Sequence, residues 1–151
     1  AQMKENRLYV VFQPHTYTRT MLLLDEFSKA FDDADEVIVT DIYAAREKDN
    51  GKIHARDLVA RLQERGKRAR YIRDFDEIAQ VLRTELEEGD VAITMGAGNV
   101  YKIGEQIIED YKRPAIRRSF FCFIHPRLGF PSYGTHSGRR RYPPASQEAC
   151  S

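Results

Sequence analysis

The sequence RLYVVFQPH, residues 7–15, decides how this chain folds. From Leu8 to Phe12 every residue is aliphatic or aromatic, which is typical of a strand that is covered on both faces of a parallel sheet. Pro14 restricts the residue before it to extended backbone and has no N–H to donate to a neighbouring strand. The segment therefore predicts a buried strand that ends at a polar loop.

Three further apolar runs follow along the chain, and a helical pattern separates each run from the next. The runs are residues 36–40, 69–72 and 90–95. In the segments between and after them, apolar side chains recur at three- and four-residue spacing, which is the pattern of helices that lie against a sheet. These segments predict helices at about residues 18–31, 55–65, 75–88 and 100–110.

Residues with known preferences for helix ends mark several of these boundaries. Thr18 or Thr20 is expected to cap the first helix, and Asp74 begins a capping-box pattern before the third. Gly66 and Gly89 are expected to end the second and third helices, because glycine adopts the left-handed conformation found there. Four strands that alternate with four helices predict an α/β fold, a small doubly wound and mainly parallel sheet flanked by helices.

The composition divides the chain into two parts. With 151 residues, 42% of them hydrophobic, the chain is long enough for one globular core. Residues 112–151 hold eight of the 24 Lys and Arg but one of the 23 Asp and Glu, and five of the six prolines. We therefore expect a folded domain at residues 1–111 and a basic, Pro/Arg-rich tail at 112–151.

The tail has no amphipathic pattern, so it is expected to be disordered, or to be translated out of frame. Nucleic-acid binding is not favoured, because its basic residues are not organised on one face. The chain has no apolar run of about 18 to 20 residues that would span a membrane, and no secretory signal pattern. Its two cysteines are too few for a disulfide framework, so a cytoplasmic protein is expected.

Polar residues follow three of the predicted strands, and the carboxyl ends of parallel strands meet at one edge, where ligands bind in open α/β sheets. Arg19 could bind a carboxylate or phosphate, or be a surface charge at a helix start. His15 could titrate in a site or only hydrogen-bond its loop. Asp41 could pair with Arg19, accept a ribose hydroxyl or cap local N–H groups, while Tyr43 and Arg46 could contact ligand or simply be packed or solvated.

A glycine turn follows the fourth strand, with Gly96 and Gly98 ahead of the last helix. It could bind an anion at the helix start, or be a tight turn without a ligand. The spacing departs from the dinucleotide pattern G-x-G-x-x-G, and the phosphate-binding pattern G-x-x-x-x-G-K-[ST] occurs nowhere in the 151 residues. The glycine turn is therefore expected to be structural.

Three of these segments together resemble the C-terminal domain of the Mur ligases. They are FQPHTYTRT at residues 12–20, DIYAARE at 41–47 and TMGAGN at 94–99, and the likeness extends over about residues 1–110. The branch of the family that joins L-alanine to UDP-N-acetylmuramate is the most similar. The chain departs from it in carrying Thr16, where many members carry Arg.

The resemblance implies an ATP- and Mg²⁺-dependent, amide-forming ligase of cytoplasmic peptidoglycan precursor synthesis. It also implies two partner domains, a central ATPase domain with the P-loop and an N-terminal domain for the UDP substrate, over which this domain closes. His15, Arg19, Asp41, Tyr43 and Arg46 would face the substrate and nucleotide cleft. Arg19 and Arg46 would contact carboxylate or phosphate, and Asp41 would lie on the nucleotide side.

By the same resemblance this chain carries no catalytic residue and no metal ligand, binds no ATP or Mg²⁺ alone, and is inactive alone. Two other functions stay open. One is the related ligase domain that recycles murein peptides. The other is a free-standing nucleotide-binding or interaction module.

Overall fold

The computed structural model describes residues 6–111 of the chain. Within them, four strands form one parallel sheet in the order β3-β2-β1-β4. The strands are β1 (Leu8–Gln13), β2 (Glu36–Val39), β3 (Arg68–Tyr71) and β4 (Val91–Gly96). The predictions for residues 112–151 lie outside the described residues.

Helices cover both faces of the sheet, as the alternating pattern predicted. They are α1 (Tyr17–Leu22), α2 (Leu24–Lys29), α3 (Ala55–Glu64), α4 (Phe75–Glu85) and α5 (Tyr101–Tyr111). Alternate residues of β1 enter different cores, since Val10 packs with α3 and Val11 packs with α4 and α5. The doubly wound α/β fold is confirmed. No helix among residues 6–111 is long and apolar enough to cross a membrane.

The first predicted helix differs from the structure in its start and in its continuity. The first helix is capped by Thr16 and not by Thr18 or Thr20. Only His15 separates Pro14 from this cap, so the helix begins earlier than predicted. That helix also breaks at Leu23, and α2 then brings Phe27 within 5.4 Å of the Phe12 ring, measured between centroids.

The third predicted helix ends earlier than the position of Gly89 predicted. α4 stops at Glu85, with Leu86 as its C-cap residue, while Gly89 lies in the turn before β4 with φ +93°. The prediction for Gly66 is confirmed, since it adopts φ +78° just after α3. Asp74 also caps α4, because its carboxylate accepts hydrogen bonds from the backbone N–H groups of Asp76 and Glu77.

Candidate functional site

The loops after β1 and β2 are joined by backbone hydrogen bonds. The N–H of Tyr43 donates to the carbonyl of Pro14 at 2.8 Å, and the N–H of Thr16 donates to the carbonyl of Tyr43 at 2.9 Å. His15 and Tyr43 form an isolated parallel bridge, and their rings stack with centroids 6.0 Å apart. The pairing of the two strands therefore continues beyond their ends into the loops that carry the predicted site residues.

The glycine turn after β4 packs directly against these two loops. A Cβ on Gly98 would lie 2.3 Å from Oε1 of Gln13 and 2.9 Å from Cδ2 of Tyr43. A Cβ on Gly96, which has φ +151°, would lie 2.5 Å from the carbonyl oxygen of Gln13. Only glycine fits at both positions without a shift of its neighbours. All three polar segments therefore meet at one edge of the sheet.

Glu47 ties the second loop to the start of α1. Its Oε2 accepts a hydrogen bond of 2.9 Å from the backbone N–H of Thr18. This bond, together with the hydroxyls of Thr18 and Thr16, holds the pKa of Glu47 below its ordinary value. The role of Glu47 is not evident from the sequence, because its partner Thr18 lies 29 positions away and no local spacing links the two.

Arg19 and Arg46 are exposed next to the hydrogen bond between Thr18 and Glu47. Arg19 follows Thr18 in the chain, and Arg46 precedes Glu47, so the Thr18–Glu47 hydrogen bond brings their backbones close together. Within residues 6–111, neither guanidinium has a hydrogen-bond or ion-pair partner. Two cationic groups are thus free to meet an anion at this edge.

Asp41 is held by residues at the end of β3. Its Oδ1 accepts a hydrogen bond from the hydroxyl of Tyr71, and its Oδ2 lies 3.0 Å from Nε of Arg73. Burial, and then this hydrogen bond, raises the pKa of Tyr71. Asp41 therefore pairs with Arg73 and not with Arg19. Arg73 is available because it follows β3, the strand next to β2, at the same edge of the sheet.

A cavity of about 260 Å³ lies between the loop after β2 and the start of α3. Asp41 and Tyr71 contribute to its wall, and so does His54. His54 begins α3, since its Nδ1 accepts from the N–H of Arg56 at 3.1 Å while its own N–H donates to Asp57 at 2.7 Å. The cavity is therefore bordered by polar side chains that make hydrogen bonds within the fold.

The structure brings together some of the predicted residues and separates others. His15 and Tyr43 are in contact, and Arg19 and Arg46 flank the same hydrogen bond, whereas Asp41 faces the β3 side. No group of three or more His, Cys, Asp or Glu within residues 6–111 could hold a metal ion. The edge thus combines exposed cations, stacked rings and a polar cavity, which suits an anionic ligand with hydroxyl groups.

Comparison with known proteins gives a consistent result. The family model described as "Mur ligase, glutamate ligase domain" matches residues 1–98, about two thirds of the chain. The UDP-N-acetylmuramate–L-alanine ligase of Acetivibrio thermocellus is 56% identical over 110 residues, which cover 73% of this chain and 24% of that protein. The corresponding ligase of Caldanaerobacter subterraneus subsp. tengcongensis is 51% identical over 107 residues, covering 71% and 23%.

A solved structure agrees with these relatives. The crystal structure of UDP-N-acetylmuramate–alanine ligase from Thermotoga maritima superposes with a TM-score of 0.55 at 26% identity, covering 72% of this chain and 21% of that one. The chain thus spans about a quarter of the length of the curated relatives it matches. On the matched family model and the identity of these relatives, this chain belongs to the Mur ligase, glutamate ligase domain family.

Proposed function

We propose that this domain forms one wall of the substrate cleft of a ligase that joins L-alanine to UDP-N-acetylmuramate. The observation that carries the proposal is the meeting of three polar loops at one sheet edge, with the guanidinium groups of Arg19 and Arg46 free beside them. Relatives at 50 to 56% identity bear the name of that ligase.

The side chains at this edge suit the chemistry of that reaction. A guanidinium binds a carboxylate or phosphate through two parallel hydrogen bonds, so Arg19 and Arg46 would hold the alanine carboxylate or the phosphates of ATP. His15, stacked on Tyr43, would form the side of the cleft between them. Asp41, with its cavity, would receive hydroxyl groups on the nucleotide side.

ATP and Mg²⁺ would act at a site that this domain only completes. The free guanidinium groups fit the phosphates, but residues 6–111 offer no acidic cluster for the metal ion. The phosphate cradle and the Mg²⁺ ligands would come from a central ATPase domain, and the UDP substrate from an N-terminal domain. This chain alone would therefore release no phosphate from ATP, and the reaction would take place in the cytoplasm, where the nucleotide precursors are made.

A chimera tests the proposal. The C-terminal segment of the Acetivibrio thermocellus ligase that aligns with this chain is replaced by the matching residues of this chain, and alanine-dependent phosphate release is measured. The chimera is expected to turn over. Arg19→Ala and Arg46→Ala are each expected to lower kcat/KM for alanine or ATP about 10- to 100-fold, since a hydrogen bond to a charged group contributes roughly 1.5–3 kcal/mol.

Arg65→Ala is the matched control, because Arg65 lies at the opposite end of α3 and pairs only loosely with Asp32, at 3.3 Å. It should leave turnover unchanged. A folded chimera without alanine-dependent turnover would contradict the proposed substrate. Full turnover in both the Arg19 and Arg46 variants would remove these residues from the cleft.

A further inference from the structure

We propose that Glu47 is a positioning residue, which holds Arg19 at the cleft by binding the first turn of α1. The inference rests on the proposed function in one respect, that Arg19 contacts an anionic ligand. Glu47 itself is expected to touch no ligand, because its carboxylate is engaged with the backbone of Thr18.

α1 needs support from outside its own sequence. It has six residues, well below the roughly 12 to 15 at which an isolated helix becomes marginally stable. Its first turn contains no acidic residue, and its cap bond, from the N–H of Arg19 to Oγ1 of Thr16, is long at 3.4 Å. A carboxylate at this end satisfies a free N–H and opposes the positive end of the helix dipole.

Each of the two loops that meet at this contact contains a residue with an unusual backbone conformation. Thr16 has φ +56° and ψ 148°, and Ala45 has φ +55°, so two residues other than glycine adopt positive φ in the two loops that meet here. Such conformations cost about 1–3 kcal/mol each and persist where the surroundings hold them. Ala45 turns the second loop so that Glu47, two residues later, reaches α1.

The hydrogen bond to Glu47 connects the loop after β2 to a residue of α1 itself. The backbone hydrogen bonds between the loops join Tyr43 to Pro14 and to Thr16, and both of these partners precede the helix. The Glu47 bond is made to Thr18, the residue directly before Arg19. The lowered pKa of Glu47 is consistent with a carboxylate bound in its charged form. Without this bond, the first turn of α1, and with it the backbone of Arg19, would no longer be held in place.

The first measurement asks whether the contact holds the helix. In the full 151-residue chain, the Thr18 amide resonance should titrate with a carboxyl midpoint below the ordinary glutamate value of about 4.3. Hydrogen exchange at Thr18 and Arg19 should be at least tenfold faster in Glu47→Ala. Glu47→Gln should restore slow exchange because it keeps an acceptor oxygen, and Glu105→Gln, an exposed carboxylate of α5, should change nothing.

The second measurement asks whether the contact serves Arg19. Inorganic pyrophosphate is titrated into the full chain and followed at the Nε–Hε resonance of Arg19. Removing a negative charge near an anion site should by itself strengthen pyrophosphate binding. A positioning role predicts the opposite, an affinity about five- to tenfold weaker in Glu47→Ala. Glu47→Gln, which loses the charge but keeps the acceptor oxygen, should bind pyrophosphate at least as tightly as the unaltered chain does. In an Arg19→Ala background, Glu47→Ala should cause no further weakening.

The two measurements fail in different ways. Unchanged exchange in Glu47→Ala, or pyrophosphate binding that is equal or stronger, would overturn the positioning role. An Arg19 resonance that does not respond to pyrophosphate in the unaltered chain would instead contradict Arg19 as an anion contact. The exchange measurement would still decide whether Glu47 holds α1.

Discussion

At the scale of single residues, Gly96 is the last residue of β4 and pairs with Gln13 at the end of β1. Its φ of +151° and the Gln13 carbonyl, 2.5 Å from the position of a Cβ, exclude any larger side chain. Gly96→Ala is expected to lower the free energy of unfolding by roughly 2–4 kcal/mol, because it adds a backbone clash to a conformation that L-residues avoid. Urea unfolding followed by circular dichroism measures this change.

Gly51→Ala is the matched control for this prediction. Gly51 also has positive φ, +68°, but nothing lies within 4 Å of its added Cβ. Its loss is expected to be only about 1–2 kcal/mol, the cost of the left-handed conformation alone. Equal losses in the two variants would show that the contact with Gln13 is unimportant.

Residue roles were predictable from the sequence only where the partner is local. Asp74 was predicted as a cap because it bonds residues two and three positions later. His54 begins α3 although its sequence context does not predict a cap there, because histidine is an uncommon cap. Glu47 and the pairing of Asp41 with Arg73 were missed because strand order and loop path, which the local sequence does not encode, create them.

At the scale of elements, the start of β1 is tied to the turn before β4. Asp90 is buried, and its carboxylate accepts hydrogen bonds from the backbone N–H and the guanidinium of Arg7 and from the N–H of Glu87. Asp90→Ala is expected to destabilise the domain by about 2–4 kcal/mol, because it leaves the N–H groups of Arg7 and Glu87 without their acceptor and removes the buried partner of the Arg7 guanidinium, which keeps the carbonyl of Glu85. Thermal unfolding of the variant checks this.

Asp33→Ala is a suitable control for the Asp90 variant, since Asp33 is exposed in the turn before β2. It should change the free energy of unfolding by less than about 0.5 kcal/mol. A similarly small loss in Asp90→Ala would mean that the Arg7–Asp90 contact does not hold β1 to the turn before β4.

The strands and most helices were predictable because their apolar residues recur at the spacing of the element. The break between α1 and α2 was not, since no Gly or Pro lies between Tyr17 and Lys29 to mark it. It arises from packing: α2 turns so that Phe27 and, beyond its end, Phe31 reach the ring of Phe12. The sequence shows the apolar stripe of this segment but not the change of axis within it.

At the scale of the whole molecule, the titrating groups define a range of pH in which the fold is stable. Arg70 lowers the pKa of Glu85 through two hydrogen bonds of 2.7 and 2.9 Å, and Thr18 lowers that of Glu47. A depressed carboxyl pKa stabilises the fold above the unfolded value of about 4.3, and this contribution is lost as the pH falls through the folded value. Burial raises the pKa of Tyr9, so its contribution is lost as the pH rises above about 10.

We therefore expect the free energy of unfolding to change little between about pH 5 and 9.5 and to fall below pH 4.3. Glu85→Gln should be less stable at pH 7 but lose less stability on acidification, because the variant has one depressed carboxyl fewer. Urea unfolding at a series of pH values measures both effects. Glu88→Gln, at an exposed site in the turn before β4, should retain the slope of the unaltered chain. An unchanged acid slope in Glu85→Gln would contradict the role of its pair with Arg70.

The parallel sheet with helices on both faces was predictable from alternation alone, because each crossover must pass over the sheet. The strand order was not, since alternation does not say on which side of β1 the fourth strand will pair. The meeting of the three loops follows from that order: β1 lies between β2 and β4, so the loops after these strands are neighbours. The side chains that join them depend on the path of each loop.

The central place of β1 has a consequence for how the chain acquires its structure during synthesis. Leu8 pairs with Val91, about 80 residues later, so β1 keeps an open edge until nearly all of this domain has emerged from the ribosome. Unpaired strand edges recruit other chains. A nascent chain that stalls before Val91 would therefore be prone to aggregate through β1, whereas in a chain that stalls after α5 both edges of β1 are already paired.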